Sequence, residues 1–366
     1  MDVNGHRYGY RINGAELRCF AAAVFEAAGL APGHAVVVAD SLTQAELRGQ
    51  GSHGVSRLLD IYVKRLRLGV TNPRPCPVTV AQKGGTALVD GDNGPGQAAG
   101  VYAMMLAIDL AHEYGVGCVA VRRSNHYGAA AFYLQQALEA GMIGLTTTNA
   151  PPNMPPTGGR EPFLGTNPLA VAAPSATQGP VLLDMATSVV AKGKIQLMAK
   201  EGQQTIPPGW ALDAEGHPTT DVQAALGGMM LPVGGHKGYG LALVVEILSA
   251  LVAGAAFGPH LGTLYADFDR GQNVGHFFAA LDPGAFGPGE GFLARMDALL
   301  TEVRTVPTQA GVSEILLPGE VESRCQERYA AEGIPFDQAV YEEVCGIAGE
   351  LGVPPLRAMA LDANNI

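Results

Sequence analysis

Apolar residues recur at helical spacing over 15–30 (ELRCFAAAVFEAAGLA) and again over 33–48, and the turn Gly29-Leu30-Ala31-Pro32-Gly33 separates the two runs. This pattern predicts a helical hairpin at the start of the chain. After the polar loop 49–54, a third amphipathic helix is expected over 55–68, with Leu58, Ile61, Tyr62 and Leu66 on its apolar face and Gly69 at its end. The spacing then changes. Two short strands are expected within 78–90, a helix over 96–114, a buried strand at 117–122 (GCVAVR), a helix at 128–140 and a strand at 142–148 (MIGLTTT). Proline and glycine dominate 151–168, which reads as a loop. Strands follow at 169–173 and 180–184, and helices at 188–201 and 238–254. Further strands are expected at 275–281 and 313–317, and helices at 290–303, 320–332 and 336–350. Helices alternating with strands predict an α/β layer arrangement.

Composition narrows the class. With 366 residues, 47% of them hydrophobic, the chain can bury a large core divided between two closely joined domains. Its 49 glycines and 25 prolines imply many tight turns between short elements, as in an enzyme whose site is built from loops. The net charge of −11 argues against a nucleic-acid partner, because no basic run is longer than KRLR at 64–67. No charged leader with an apolar core opens the chain and no apolar run would span a bilayer, so a cytoplasmic protein without membrane contact is expected. The five scattered cysteines suggest neither a disulfide framework nor a CxxC zinc site.

Five segments carry chemistry. Gly94-Pro95-Gly96-Gln97-Ala98-Ala99 satisfies G-x-G-x-x-A, but a proline stiffens the turn and no βαβ unit with a following acidic residue is evident, so it reads as a glycine turn opening a helix. Ser52-His53-Gly54 places an imidazole on a glycine-flanked loop one turn before Arg57. That pair suits a 2-oxo acid, since imidazolium can supply a proton and guanidinium can grip a carboxylate in two places; a helix cap and a surface arginine are the plainer alternative. Ser124-Asn125-His126-Tyr127-Gly128 follows an apolar strand, where α/β proteins place ligands, so His126 is a second candidate for cofactor contact or proton transfer. Asp184-Met185-Ala186 also follows a strand. There a carboxylate can orient an imidazole, contact a cofactor, or merely cap the next helix. In Gly234-Gly235-His236-Lys237-Gly238 the glycines let main-chain N–H groups approach an anion and Lys237 adds charge, although the Walker spacing is absent. Three histidines without a paired-ligand motif give no metal site.

Taken together the segments resemble the malate/L-lactate dehydrogenase family with a non-Rossmann nicotinamide fold, which also includes ureidoglycolate and sulfolactate dehydrogenases and Δ1-piperideine-2-carboxylate reductase. The likeness runs from about residue 14 past 320 through GSHGVSRL (51–58), VDGDNGPGQ (89–97), SNHYGAA (124–130), TNAPPNMPPTGG (148–159), LGTNPLA (164–170), LLDMATS (182–188), IPPGWALD (206–213), LPVGGHKGYGLAL (231–243) and FFAALDP (277–283). It implies an α/β subunit with two domains, one helical or mixed and formed by both chain ends (1–115 with 300–366), the other binding NAD or NADP (116–299). It also implies a homodimer with sites near the subunit contact. By resemblance, His53 is the proton donor assisted by Ser52, His126 is the rival acid/base, and Arg57 holds the substrate carboxylate. Thr166, Asn149, Tyr127, Gly128 and the Asp184-Met185-Ala186 segment are expected to line the pocket, with Lys237 at the cofactor phosphates. His236 departs from the family's GGxKGYG pattern. The implied reaction is hydride transfer between NAD(P) and C2 of a small 2-hydroxy or 2-oxo acid. The alternatives are reduction of a cyclic imino acid, a catalytically silent sensor of dinucleotide or carboxylate, and a metal-dependent hydrolase.

Overall fold

The computed structural model describes residues 9–287 and 289–360. The chain opens with β1 (Tyr10–Ile12), α1 (Gly14–Ala27), α2 (Pro32–Leu47) and α3 (Val55–Arg67). It continues through β2 (Val78–Lys83), β3 (Thr86–Asp90), α4 (Gly96–Tyr114), β4 (Val116–Ser124), α5 (Ala131–Glu139), β5 (Ile143–Thr148), β6 (Leu169–Ala173) and β7 (Val181–Met185). A smaller group follows: α6 (Lys192–Lys200), β8 (Ala211–Leu212), β9 (Pro218–Thr219), α7 (Val222–Gly227), β10 (Met229–Met230) and α8 (His236–Glu246). Last come β11 (Val274–Leu281), α9 (Gly289–Thr305), α10 (Glu320–Glu332), β12 (Ile334–Phe336), α11 (Gln338–Glu350) and β13 (Met359–Ala360).

The N-terminal hairpin follows local rules. Asn13 caps α1 by accepting from the N–H groups of Ala15 and Glu16, and α2 begins at Pro32, where a missing N–H costs nothing. Leu17, Phe20, Ala21, Val24 and Phe25 form the buried stripe of α1, spaced as one helix face requires. They share a core with Leu58, Leu59 and Tyr62 of α3 and with Ile334, Phe336, Val344 and Ala348 from the far end of the chain. A three-stranded sheet in the order β12-β1-β13 ties the two ends together, and Tyr10 stacks on Tyr341 at 4.0 Å between ring centroids.

The main sheet has seven strands in the order β2-β3-β4-β11-β5-β6-β7. Only β3 and β4 pair in parallel, joined through α4; the other neighbours are antiparallel, with β11 returning from late in the chain to lie between β4 and β5. Helices α4 and α5 pack on this sheet through Ala103, Met104, Ala107, Leu134 and Ala137. A third core around Ile195, Ile206, Val222 and Met230 joins α6 and α7 to the short β10-β8-β9 sheet.

Several expectations need correction. Residues 313–317 are a loop, not a strand: Glu314 pairs with Arg324 on α10, a contact made outward rather than into a sheet. The helix expected from 188 starts only at Lys192, because Ser188 forms a β-bridge with Pro232. The helix expected over 238–254 is α-helical to Glu246 and continues as a π turn over Ile247–Leu251. The strands of two or three residues, β1, β8, β9, β10, β12 and β13, are too short to leave a period in the sequence. Helix α4 and strand β4, on either side of residue 115, share one core with β3.

Candidate active site

The SHG loop is set by the end of α2. After Leu47 the chain turns at Gly49, and residues Gly51–His53 form a single 3-10 turn closed by bonds from His53 N–H to Gln50 C=O (2.8 Å) and from Gly54 N–H to Gly51 C=O (3.1 Å). Buried Glu46 accepts the N–H of Ser56 at 2.8 Å, which draws the start of α3 onto the end of α2. Gly54 is needed for this approach, since a Cβ there would stand 2.2 Å from Glu46 Oε1. Burial pushes the Glu46 carboxyl up to about 7, although the bonds from Ser56 oppose it.

Three polar rings meet at this loop. Ser52 Oγ lies 3.0 Å from His53 Nδ1, and the His53 ring lies nearly parallel to that of His126, with centroids 5.8 Å apart. On the far side of His126, Tyr62 Oη is 2.6 Å from Nδ1, and Gln97 Nε2 donates to the same hydroxyl at 3.2 Å. Burial holds His53 below the ordinary imidazole value. Burial, reinforced by the neighbouring His53 and His276, pushes His126 down to about 3. Both rings are therefore neutral near pH 7, and placing charge on one opposes charge on the other.

Arg57 stands exposed in the first turn of α3. One edge of its guanidinium donates to Gln196 Oε1 on α6 at 3.1 Å, and its carbon lies 5.5 Å from the centre of the Tyr265 ring. The arginine, four residues beyond His53, therefore bridges α3 to α6.

The other expected residues divide. Asp184, at the end of β7, accepts the N–H of Ala131 at 2.9 Å and so anchors the start of α5; burial raises its pKa, opposed by that bond and by Arg48. The helix it caps is α5, not the one that follows it in sequence. Met185 and Ala186 are half-buried beyond it. The Tyr127 ring is sealed in the core, stacked on His276 (4.6 Å) and Tyr133 (4.9 Å), while Gly128 is buried beside Ser41 and Gln97. Asn149 is occupied inward: it donates to Glu246 Oε1 (3.0 Å) and Ala256 C=O (2.9 Å) and accepts from Gly275 N–H (3.0 Å). Thr166 offers its carbonyl to Thr187, which bonds it through both N–H and hydroxyl. Lys237 is exposed in the first turn of α8. Among the described residues no three His, Cys, Asp or Glu side chains are grouped to hold a metal ion, and no helix is long and apolar enough to cross a membrane.

Residues 12–345 match the family model for malate/L-lactate dehydrogenase. The chain belongs to the malate/L-lactate dehydrogenase family. It is 41% identical over 354 residues to a malate dehydrogenase of Pyrococcus abyssi, covering 94% of this chain and 96% of that one. It is 37% identical over 330 residues to a (2R)-3-sulfolactate dehydrogenase (NADP(+)) of Chromohalobacter salexigens, covering 90% and 95%. The solved sulfolactate dehydrogenase of Methanocaldococcus jannaschii superposes with a TM-score of 0.88 at 39% identity, covering 94% of this chain and 98% of that one. The dehydrogenase is thus an NAD(P)-dependent oxidoreductase of hydroxy acids.

The α8 end of the dehydrogenase fits such a cofactor. Gly234 and Gly235 both adopt positive φ (61° and 65°), no side chain caps the first turn of α8, and Lys237 adds a positive charge there. Uncapped N–H groups at a helix start beside an ammonium suit a diphosphate. Tyr62 and Gln97 escaped the sequence reading because Tyr62 fits the apolar stripe of α3 and Gln97 sits in a glycine turn. Gln196 and Tyr265 come from segments with no motif.

Proposed function

We propose that the dehydrogenase moves hydride between NAD(P) and C2 of a small 2-hydroxy or 2-oxo acid of the malate or sulfolactate type, with His53 as acid/base and Arg57 as carboxylate anchor. The observation that carries this is a half-buried, Ser52-oriented imidazole facing a second imidazole, with a guanidinium one helical turn away. Bound nicotinamide supplies or accepts the hydride. The chain does the rest. With Nδ1–H donated to Ser52 Oγ, His53 Nε2 is a free base that takes the hydroxyl proton during oxidation and returns it during reduction. Arg57 keeps one edge on Gln196 and turns the remainder of its fork to the carboxylate. Lys237 and the start of α8 hold the cofactor phosphates, and Met185, Ala186, Gly128 and the Thr166 backbone form the pocket between. Asn149 and Asp184 support that wall from behind.

The reading includes a homodimer. Leu241, Val244, Ile247, Leu251 and Val252 form an exposed apolar stripe along α8 and its π turn, a face suited to a second copy. Light scattering on Val244→Glu would report a monomer. We place the junction between the chain-end unit and the nicotinamide unit in the connection before β2, and the protein in the cytoplasm.

The deciding experiment is a panel of malate, lactate, sulfolactate and ureidoglycolate with NAD and NADP, run beside reduction of Δ1-piperideine-2-carboxylate. Turnover of a hydroxy acid with the higher kcat/KM supports the reading. Preferential reduction of the imino acid replaces it with the reductase, and tight nicotinamide binding without turnover replaces it with a sensor.

A further inference from the structure

The His126 ring can be assigned a protonation state by counting protons around it. Gln97 Nε2 carries only donor hydrogens, so its 3.2 Å contact uses a lone pair of Tyr62 Oη. The single Tyr62 proton then has two acceptors within reach, His126 Nδ1 at 2.6 Å and His126 C=O at 3.4 Å, and the shorter contact takes it. Gly128 N–H, a donor that cannot be reversed, points at the same Nδ1 at 3.4 Å. A proton on Nδ1 would face that N–H and displace the Tyr62 proton to the longer contact. Turning the Gln97 amide over does not rescue it, because the buried Oε1, which has no partner, would be exchanged for two unpartnered N–H donors. The cavity that Tyr62 and His126 line is walled by apolar Phe25, Leu30, Val38 and Leu66 and by polar Arg65, Thr71, Asn125 and Gln272, and none of these polar side chains bonds the His126 ring among the described residues.

We infer that Tyr62, steadied by Gln97, locks His126 as the neutral Nε2–H tautomer, making it a fixed hydrogen-bond donor beside His53 and not a second acid/base. Tyr62 is a positioning residue. The inference deepens the proposed reaction and rests on it for the identity of the acceptor, which is the C2 oxygen of the acid or its carboxylate. Nε2 makes no hydrogen bond among the described residues and is not sealed from solvent, so this proton is available to a ligand. Burial and the facing His53 oppose a second proton on the ring. During turnover His53 gains or loses a proton, whereas His126 forms and breaks no covalent bond and stabilises charge on the oxygen.

Nitrogen-15 NMR of the full-length enzyme labelled at histidine tests this without activity. His126 should show an unprotonated Nδ1 and a protonated Nε2 across the pH range of turnover, and Tyr62→Phe should bring the second tautomer into exchange while lowering kcat more than it changes KM. A protonated Nδ1, or an imidazolium at working pH, overturns the inference. A second arm needs no labelling. Gln can place an amide N–H near the position of Nε2 and Asn cannot, so His126→Gln should retain activity within about 10-fold, while His126→Asn loses about 10²–10³-fold, as when one positioned donor is removed. Equal and deep losses in both make His126 an acid/base. Full activity of His53→Ala would instead sink the proposed chemistry and leave the NMR assignment standing.

Discussion

At the scale of single residues, His53 is distinguished by a half-buried ring that bonds the Ser52 hydroxyl and, among the described residues, no carboxylate. Its lowered pKa has a direction that kinetics can read. Oxidation needs the neutral ring, so kcat/KM for oxidation should stay level through neutral pH and fall only below the ordinary imidazole value of 6.5; an inflection above that value removes His53 as the base. His53→Ala should cost about 10²–10⁴ in turnover, the range for loss of a general acid or base, with cofactor affinity unchanged by fluorescence titration. Arg57→Lys retains charge but loses the planar fork, so its penalty should fall on kcat/KM for carboxylate substrates and be absent from cofactor binding. Both residues were legible in the sequence because a glycine-flanked histidine one turn before an arginine is a pattern of polar groups where packing demands none. Tyr62 was not, since an aromatic ring on an apolar stripe conceals what its hydroxyl touches.

At the scale of elements, long periodic segments were readable and joints were not. The α1–α2 hairpin, α3, α4 and the strands β4 to β7 follow their spacing. The order of the sheet depends instead on β11, which lies far along the chain and inserts between β4 and β5, a pairing that no local period encodes. The start of α5 is another such joint. The pattern begins at 128, yet the helix begins at Ala131, where Asp184 of β7 accepts its N–H across 53 residues of chain. This makes Asp184 a clamp between β7 and α5, and the two roles open to it can be separated. Asp184→Asn retains an acceptor for Ala131 and should lower stability by less than about 1 kcal/mol more than the loss of charge near Arg48 requires, whereas Asp184→Ala leaves a buried donor unpaired and should cost about 1–3 kcal/mol in chemical denaturation. Equal stability of the two variants with a large rise in cofactor Kd would return Asp184 to the cofactor site.

At the scale of the whole molecule, two neutral histidines, His276 in β11 and His126 in the loop after β4, couple folding to pH. His126 and His276 are both pushed down to about 3 by burial, whereas the unfolded chain protonates each near 6.5. As pH falls from 6.5 towards 3 the unfolded state binds more protons, so each histidine removes about 1 kcal/mol of stability per pH unit. Glu46 acts in the opposite sense. Its folded pKa of about 7 lies above the unfolded 4.5, so between those values the folded state binds the extra proton and gains stability as pH falls. Over pH 6.5 to 4.5 the gain from Glu46 offsets the loss from one of the two histidines, and below 4.5, where that gain is complete, the histidine losses stand uncompensated by it. Glu46→Gln keeps an acceptor for Ser56 N–H and removes the titration. Its stability should therefore fall more steeply than the parent's by about 1 kcal/mol per pH unit between pH 6.5 and 4.5 and run parallel below, a difference that cancels every other ionising group common to both chains. Urea midpoints measured across that interval decide it: parallel curves throughout would mean that the carboxyl beside the SHG loop ionises in the folded protein as it does in water, and that the loop is not held against a protonated group at neutral pH.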